Sequence, residues 1–185
     1  KGVGARIALP AKPIQKMRGL LRVLRALPPL VAVPTTAGTG SEATLVAVVA
    51  NPAIQVKMEF LSYHLLPDVA VLDPRMTETL PPRITAATGF DALVHAIEAA
   101  PCLQRNPVSD SFAEKAIQQI SQNLTRAVEH GKDRKARMAM ANGSLLAGAA
   151  FSNSMVGLVH AIGHALGGVC HVAHGEAMTI LLPAV

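Results

Sequence analysis

The segment Thr88-Gly-Phe-Asp-Ala-Leu-Val-His-Ala-Ile-Glu98 has apolar residues at helical spacing, and Asp91 and His95 stand four residues apart in its middle. Positions i and i+4 share one face of a helix, so this pair can bite a single ion. A second segment, Gly157-Leu-Val-His-Ala-Ile-Gly-His-Ala-Leu-Gly-Gly168, repeats the spacing with His160 and His164. Its closing glycines are expected to release the chain into a short loop carrying His171 and His174. Three imidazoles with one carboxylate suit iron, zinc or cobalt better than magnesium or calcium, which favour all-oxygen shells. Softness does not separate iron from zinc. A lone histidine in an apolar helix is normally packed or hydrogen-bonded. Several ionisable groups among Leu, Val, Ala and Gly are a different matter, because each unsatisfied polar group costs about 1–3 kcal/mol. A shared ion removes that cost.

From Ile84 onward the pattern is helical throughout. Ser111 to Glu129 carries Phe112, Ala116, Ile117, Ile120 and Leu124 at helical intervals, and Asp133 precedes a helix from Arg134 to Leu146 that runs on through Ala150. The preceding half reads differently. Residues 1–29 suggest a helix end and a loop, followed by three short apolar runs expected as strands: Leu30–Val33, which Pro34 terminates as in a buried parallel strand, Leu45–Ala50 and Val69–Leu72. After the first run comes Thr35-Thr-Ala-Gly-Thr-Gly-Ser-Glu42, whose hydroxyls and glycines offer donors and open backbone N–H groups to a phosphate or ribose. Lys57 is a candidate phosphate contact. The prolines of Thr79-Leu-Pro-Pro-Arg83 mark an expected boundary near residue 80.

The chain is 50% hydrophobic and only 16% charged, richer in apolar groups than a self-contained domain of 185 residues needs, so part of its surface is expected to meet something else. Aromatics make up 3%, with no Trp, which requires a core of small aliphatic side chains at close backbone approach. No Asp, Glu, Lys or Arg occurs from Met138 to Gly175, but Asn142, Ser144, Ser152, Asn153 and Ser154 interrupt that run too often for a lipid-facing helix. No membrane span is expected. Lys1-Gly-Val-Gly does not resemble a signal peptide, and a cytosolic location is the expectation. Cys102 and Cys170 form no Cys-x-x-Cys pair, and Cys170 is expected to be a small buried hydrophobe beside the histidines. The net charge is +5, with a basic stripe through Lys12, Lys16, Arg18, Arg22 and Arg25. Without stacking aromatics or a recognisable module, that stripe reads as a solvated face and not as a nucleic-acid site.

Together these segments resemble the iron-dependent, group III alcohol dehydrogenases. The resemblance rests on Val33-Pro-Thr-Thr-Ala-Gly-Thr-Gly-Ser-Glu42, Asp73-Pro74, Leu80-Pro-Pro82, Thr85 to Ala99, Asn106-Pro107, Ala149-Ala-Phe-Ser-Asn153, and Gly157-Leu-Val-His160 through His174-Gly175. It implies that Asp91, His95, His160 and His174 hold the metal, Fe2+ or alternatively Zn2+, and that His164 lies between metal and nicotinamide. Thr35, Thr36, Gly38, Thr39, Thr44 and Lys57 match the part of the pattern that surrounds the dinucleotide, NAD or alternatively NADP. The implied architecture is dehydroquinate synthase-like: residues 1–80 would end an α/β dinucleotide-binding domain, and 81–185 would begin an all-helical metal-binding domain. Small alcohols or aldehydes would be the substrates and a homo-oligomer, a dimer, the assembly.

Departures from the family pattern also matter. Members are roughly twice as long, and a Gly-Gly-Gly-Ser loop is expected upstream of Lys1 with further helices after Val185, so the chain reads as the middle of an enzyme. Ala100 stands where a tyrosine is common, and His171 has no ligand counterpart. The resemblance implies that the metal polarises a substrate oxygen while hydride passes to the nicotinamide, with His164 relaying the hydroxyl proton. Two alternatives stand beside this reading. One is a dehydroquinate synthase-like lyase, which would need Lys and Arg around the metal. The other is a catalytically silent module serving structure or interaction.

Overall fold

The computed structural model describes residues 1–185. Helix α1 (Gly2–Ala8) opens the chain, and the short strand β1 (Gly19–Leu20) follows a single 3-10 turn. Next come β2 (Val31–Ala32), β3 (Val46–Asn51), β4 (Val56–Leu61) and β5 (Val69–Ala70). These strands form two separate small sheets. β3 and β4 pair antiparallel as a hairpin from Val46↔Leu61 to Asn51↔Val56, and β1 adds parallel to β4. β2 pairs parallel with β5, Val31 opposite Val69.

All three expected strands are present, with β2 and β5 shorter than their apolar runs, but β4 was not expected. Its residues alternate: Met58 and Phe60 are buried with Met17, Val23 and Leu65, while Lys57, Glu59 and Leu61 face a cavity. The expectation that Leu30–Val33 is a buried strand is corrected in part. Val31 and Val69 are about half exposed, because β2 and β5 have only one another as neighbours.

From Pro82 the chain is helical: α2 (Pro82–Ala99), α3 (Pro107–Glu129), α4 (Arg134–Ser154), α5 (Leu158–Val169) and α6 (His174–Leu181). The caps explain the boundaries. Asn106 accepts from the N–H groups of Val108 and Ser109 while Ser109 Oγ accepts from the Asn106 N–H, and Pro107 sits at the first helical position. This starts α3 four residues before the expected Ser111. Asp133 caps α4 through the N–H groups of Lys135 and Ala136.

The main core lies among α2, α3 and α4 and is built largely from alanines (Ala92, Ala96, Ala116, Ala127, Ala136, Ala147) with Ile120 and Met140. Small side chains let the helices approach closely: a Cβ on Gly143 would lie 2.6 Å from Ile120 Cγ1. A second cluster, Val94, Val159, Ala177 and Met178, fastens α5 and α6 to α2. That packing brings the two histidine-bearing segments onto the helix that carries Asp91.

No single helix is long and apolar enough to cross a membrane; α4 and α5 meet both conditions only jointly, across a bend of 102°. The bend falls at Met155-Val-Gly157, where Met155 has φ +70°. It turns α5 back toward the end of α2.

Candidate metal centre

The first turn of α5 exposes N–H groups that need acceptors. Its own N-cap, Gly157, has no side chain to supply one, and the carboxylate of Glu98 from α2 takes the role. Glu98 Oε1 accepts from the Val159 N–H at 2.7 Å, and Oε2 accepts from the His160 N–H at 3.4 Å. Oε2 also lies 2.5 Å from Nδ1 of the His160 ring. A Cβ on Gly157 would fall 2.8 Å from Glu98 Oε1, so glycine leaves the space the carboxylate needs. With Nδ1 engaged by Glu98, His160 turns Nε2 toward Asp91, 3.6 Å from Oδ1.

Asp91 is the centre of the group. Its Oδ1 is 3.3 Å from His174 Nε2, and its Oδ2 is 4.0 Å from His95 Nδ1. One donor atom from each of Asp91, His160 and His174 lies within 4.8 Å of the other two. His95 borders this trio and does not belong to it by that measure: its ring stacks on His160 at 4.2 Å between centroids and on Phe151 at 4.5 Å. His174 is the first residue of α6 and not a loop residue, and it reaches the site because α6 lies tight against α2. A Cβ on Gly175 would stand only 2.4 Å from the Ala87 carbonyl oxygen.

Five buried side-chain polar atoms lack a hydrogen-bond partner, and four of them belong to these residues: Asp91 Oδ1, His95 Nδ1, His160 Nε2 and His174 Nδ1. Unpaired polar atoms are normally rare in a folded interior, and a cluster of them at one point fits a shared ligand such as a metal ion. The donor set, one carboxylate and three imidazoles, suits a divalent transition metal. The charges are also arranged for one. Burial alone would raise the Asp91 carboxyl, but the imidazoles of His95, His174 and His160 outweigh it and hold it down at about 2. Burial pushes His95 down to about 3 and His174 to about 4, against the opposing pull of Asp91. Both are therefore neutral, as a metal-binding imidazole must be. His160 differs: burial lowers it, yet Asp91 and Glu98 on its two sides raise it above the ordinary histidine value.

A cavity of about 640 Å³ opens beside these side chains, between the β3–β4 hairpin and helices α2 and α5. Among the residues expected around a dinucleotide, Thr39, Thr44 and Lys57 line it. Thr35, Thr36 and Gly38 do not. The loop glycines lie close to the helices: a Cβ on Gly38 would lie 2.8 Å from the Thr88 carbonyl oxygen, and one on Gly40 2.6 Å from Gly148 Cα. The Gly40 N–H donates to Ser144 Oγ. These two glycines let the loop sit against α2 and α4. Burial lowers Lys57, with Asp91 acting in the opposite sense.

His164 lines the same cavity, and its Nδ1 is 2.5 Å from Glu59 Oε1 on β4. Neither Glu59 nor Glu98 was singled out from the sequence. His171 is exposed with φ +57° and lies outside the cavity. Cys170 is exposed, which corrects the expectation of a buried residue, because it follows the last turn of α5 on the outer side.

Comparison with known proteins identifies the family. The family model described as iron-containing alcohol dehydrogenase matches residues 1–74, and that of the C-terminal part of the Fe-containing alcohol dehydrogenase family matches residues 85–185. Long-chain-alcohol dehydrogenase 1 of Geobacillus thermodenitrificans is 48% identical over 158 residues, 85% of this chain and 39% of its own. A crystal structure of 1,3-propanediol oxidoreductase superposes with a TM-score of 0.93 at 43% identity, covering 98% of this chain and 47% of that one. Sulfoacetaldehyde reductase from Bifidobacterium kashiwanohense, solved in complex with NAD+, gives a TM-score of 0.86 at 35% identity, covering 99% of this chain and 50% of that one. The chain thus spans about half the length or less of these relatives. On the family models matching both halves of the sequence, this chain belongs to the iron-containing alcohol dehydrogenase family.

Proposed function

We propose that the protein is a metal-dependent alcohol dehydrogenase, interconverting a primary alcohol and its aldehyde with a nicotinamide cofactor. The observation that carries this is the set of four unpartnered buried polar atoms on Asp91, His95, His160 and His174. These four residues would hold the metal, Fe2+ by family membership, with Zn2+ compatible with the same donors. When bound, the metal would supply a Lewis acid for the substrate oxygen, and the nicotinamide an acceptor for hydride. Glu98 orients His160 and caps the helix that carries it. Phe151, stacked on His95, shields one side of that ring from water. His164, at the cavity wall beside the cluster, would take up the hydroxyl proton.

NAD is the favoured cofactor, because a relative of similar fold was solved with NAD+. Thr39, Thr44 and Lys57 would meet it from the cavity, with Thr35, Thr36 and Gly38 shaping the loop behind them. The change from strands to helices between Ala70 and Pro82 supports a division near residue 80, into the end of a nucleotide-binding domain and the start of a helical metal-binding domain. Half-exposed Val31 and Val69 on an open sheet fit a chain that packs against further protein, as a homo-oligomer would require. A cytosolic location is carried with this reading.

The test is anaerobic purification, metal analysis, and an assay for reduced cofactor with a panel of primary alcohols. One bound transition-metal ion per chain and alcohol-dependent reduction of NAD+ are expected. Absence of bound metal after loading, or loading with no turnover of any alcohol, would overturn the proposal.

A further inference from the structure

Two histidines one helical turn apart on α5 are each paired through Nδ1 with a carboxylate from a different element. His160 meets Glu98 of α2 at 2.5 Å, and His164 meets Glu59 of β4 at 2.5 Å. The first pair belongs to the metal centre. The second stands at the cavity wall, and Glu59 is an unusual residue for its place: a carboxylate in the middle of a strand, flanked by buried Met58 and Phe60. The strand's alternation turns Glu59 to the cavity together with Lys57 and Leu61.

We propose that Glu59 is a positioning residue for the reaction, fixing the tautomer and orientation of His164 so that Nε2 faces the cavity as a free acceptor. An ionised carboxylate can only accept, so the hydrogen in the short contact sits on Nδ1, and in the neutral imidazole that leaves Nε2 without one. The hydrogen bond from His164 holds the Glu59 carboxyl below its ordinary value, which keeps it ionised at neutral pH. In the other tautomer Nε2 would carry the hydrogen and could not take up a proton from a substrate hydroxyl. Anchoring by β4 also fixes the ring across elements 105 residues apart in sequence, so the hairpin and helix α5 are held in register at the cavity.

This inference deepens the reading of His164 as the proton-accepting group and rests on it, but its structural core can be tested without turnover. Side-chain 15N NMR of the zinc-loaded protein, with the His164 signals assigned by their loss in His164→Ala, reads the tautomer directly. Nδ1-protonated, Nε2-bare nitrogen shifts are expected for the native chain, and a shift toward the Nε2-protonated form in Glu59→Ala. Glu59→Gln, which keeps an acceptor without the charge, should retain the native tautomer and cover the case in which Glu59→Ala does not fold. Turnover supplies the second readout: Glu59→Ala should lower kcat by about 10- to 100-fold with metal content and KM little changed, and Glu59→Gln should recover most of it. An unaltered tautomer in Glu59→Ala, or a native tautomer that is Nε2-protonated, overturns the inference whether or not the protein turns over an alcohol. An unaltered kcat with an altered tautomer overturns its catalytic part. A native protein inactive toward every alcohol sinks the functional reading instead, and the tautomer still decides the pairing.

Discussion

One carboxylate, that of Glu98, both caps helix α5 through the Val159 N–H and grips Nδ1 of His160, 2.5 Å away. Orientation of the His160 imidazole and the start of the helix that bears it therefore depend on the same side chain. Carboxylate partners of this kind raise the basicity of a ligand and fix its ring, and losing one typically weakens metal binding about 10- to 100-fold. Glu98→Ala should do so in a chelator-competition titration. It should also destabilise the fold by about 1–3 kcal/mol in denaturant unfolding, because the buried Val159 N–H loses its acceptor. Metal affinity equal to that of the native chain would show that Glu98 serves only as a cap.

Metal loading should be proton-coupled through one residue. His95 at about 3 and His174 at about 4 are already neutral at pH 7, whereas His160 is raised above its ordinary value. Below its raised value His160 binds a proton that must leave before Nε2 can ligate, so affinity rises with pH and levels off once His160 is neutral. The number of protons released per metal ion should increase as the pH falls below that value. Calorimetric titration in buffers of different ionisation enthalpy measures that number directly; release of none would contradict the assignment of His160.

Gly175 should be intolerant of even a methyl group. A Cβ there would lie 2.4 Å from the Ala87 carbonyl oxygen, forcing α6 away from α2 and His174 away from Asp91. Gly175→Ala should cost about 1–3 kcal/mol of stability and lower metal occupancy with it. Gly2→Ala on α1, where the nearest side-chain atoms are 3.9 Å away, is the control and should be neutral or stabilising by up to about 1 kcal/mol. Equal thermal midpoints for the two variants would refute the packing account.

Removing the metal should destabilise the protein as well as silence it. The four unpartnered atoms of Asp91, His95, His160 and His174 are buried whether or not an ion joins them, and an ion that binds only the folded state adds about 2.7 kcal/mol when present at 100 times its Kd. Thermal unfolding with and without chelator should therefore differ, and the difference should disappear in Asp91→Ala. A chelator effect of the same size in that variant would place the stabilising ion elsewhere.

What the amino-acid sequence determined alone is the helical half of the fold and the local spacing of its candidate ligands. The pairs Asp91/His95 and His160/His164 are legible because helical geometry converts a spacing of four into a shared face. The long helices are legible for the same reason, and their starts follow from Asn106, Pro107 and Asp133 acting on the adjacent backbone. Strand β4 also carries a local signal, the alternation of Val56, Met58 and Phe60 with Lys57 and Glu59, although Lys and Glu are depleted in strands.

Only the tertiary structure decided which distant groups meet. Glu98 reaches His160 across 62 residues and Glu59 reaches His164 across 105, contacts that no spacing encodes. Gly38 and Gly40 also let their loop pack closely against α2 and α4, which their local sequence does not encode. His174 joins Asp91 because Val94, Val159, Ala177 and Met178 pack α5 and α6 onto α2. Local patterns name the candidate ligands; burial of apolar surface between elements far apart in the chain sets their partners and their geometry.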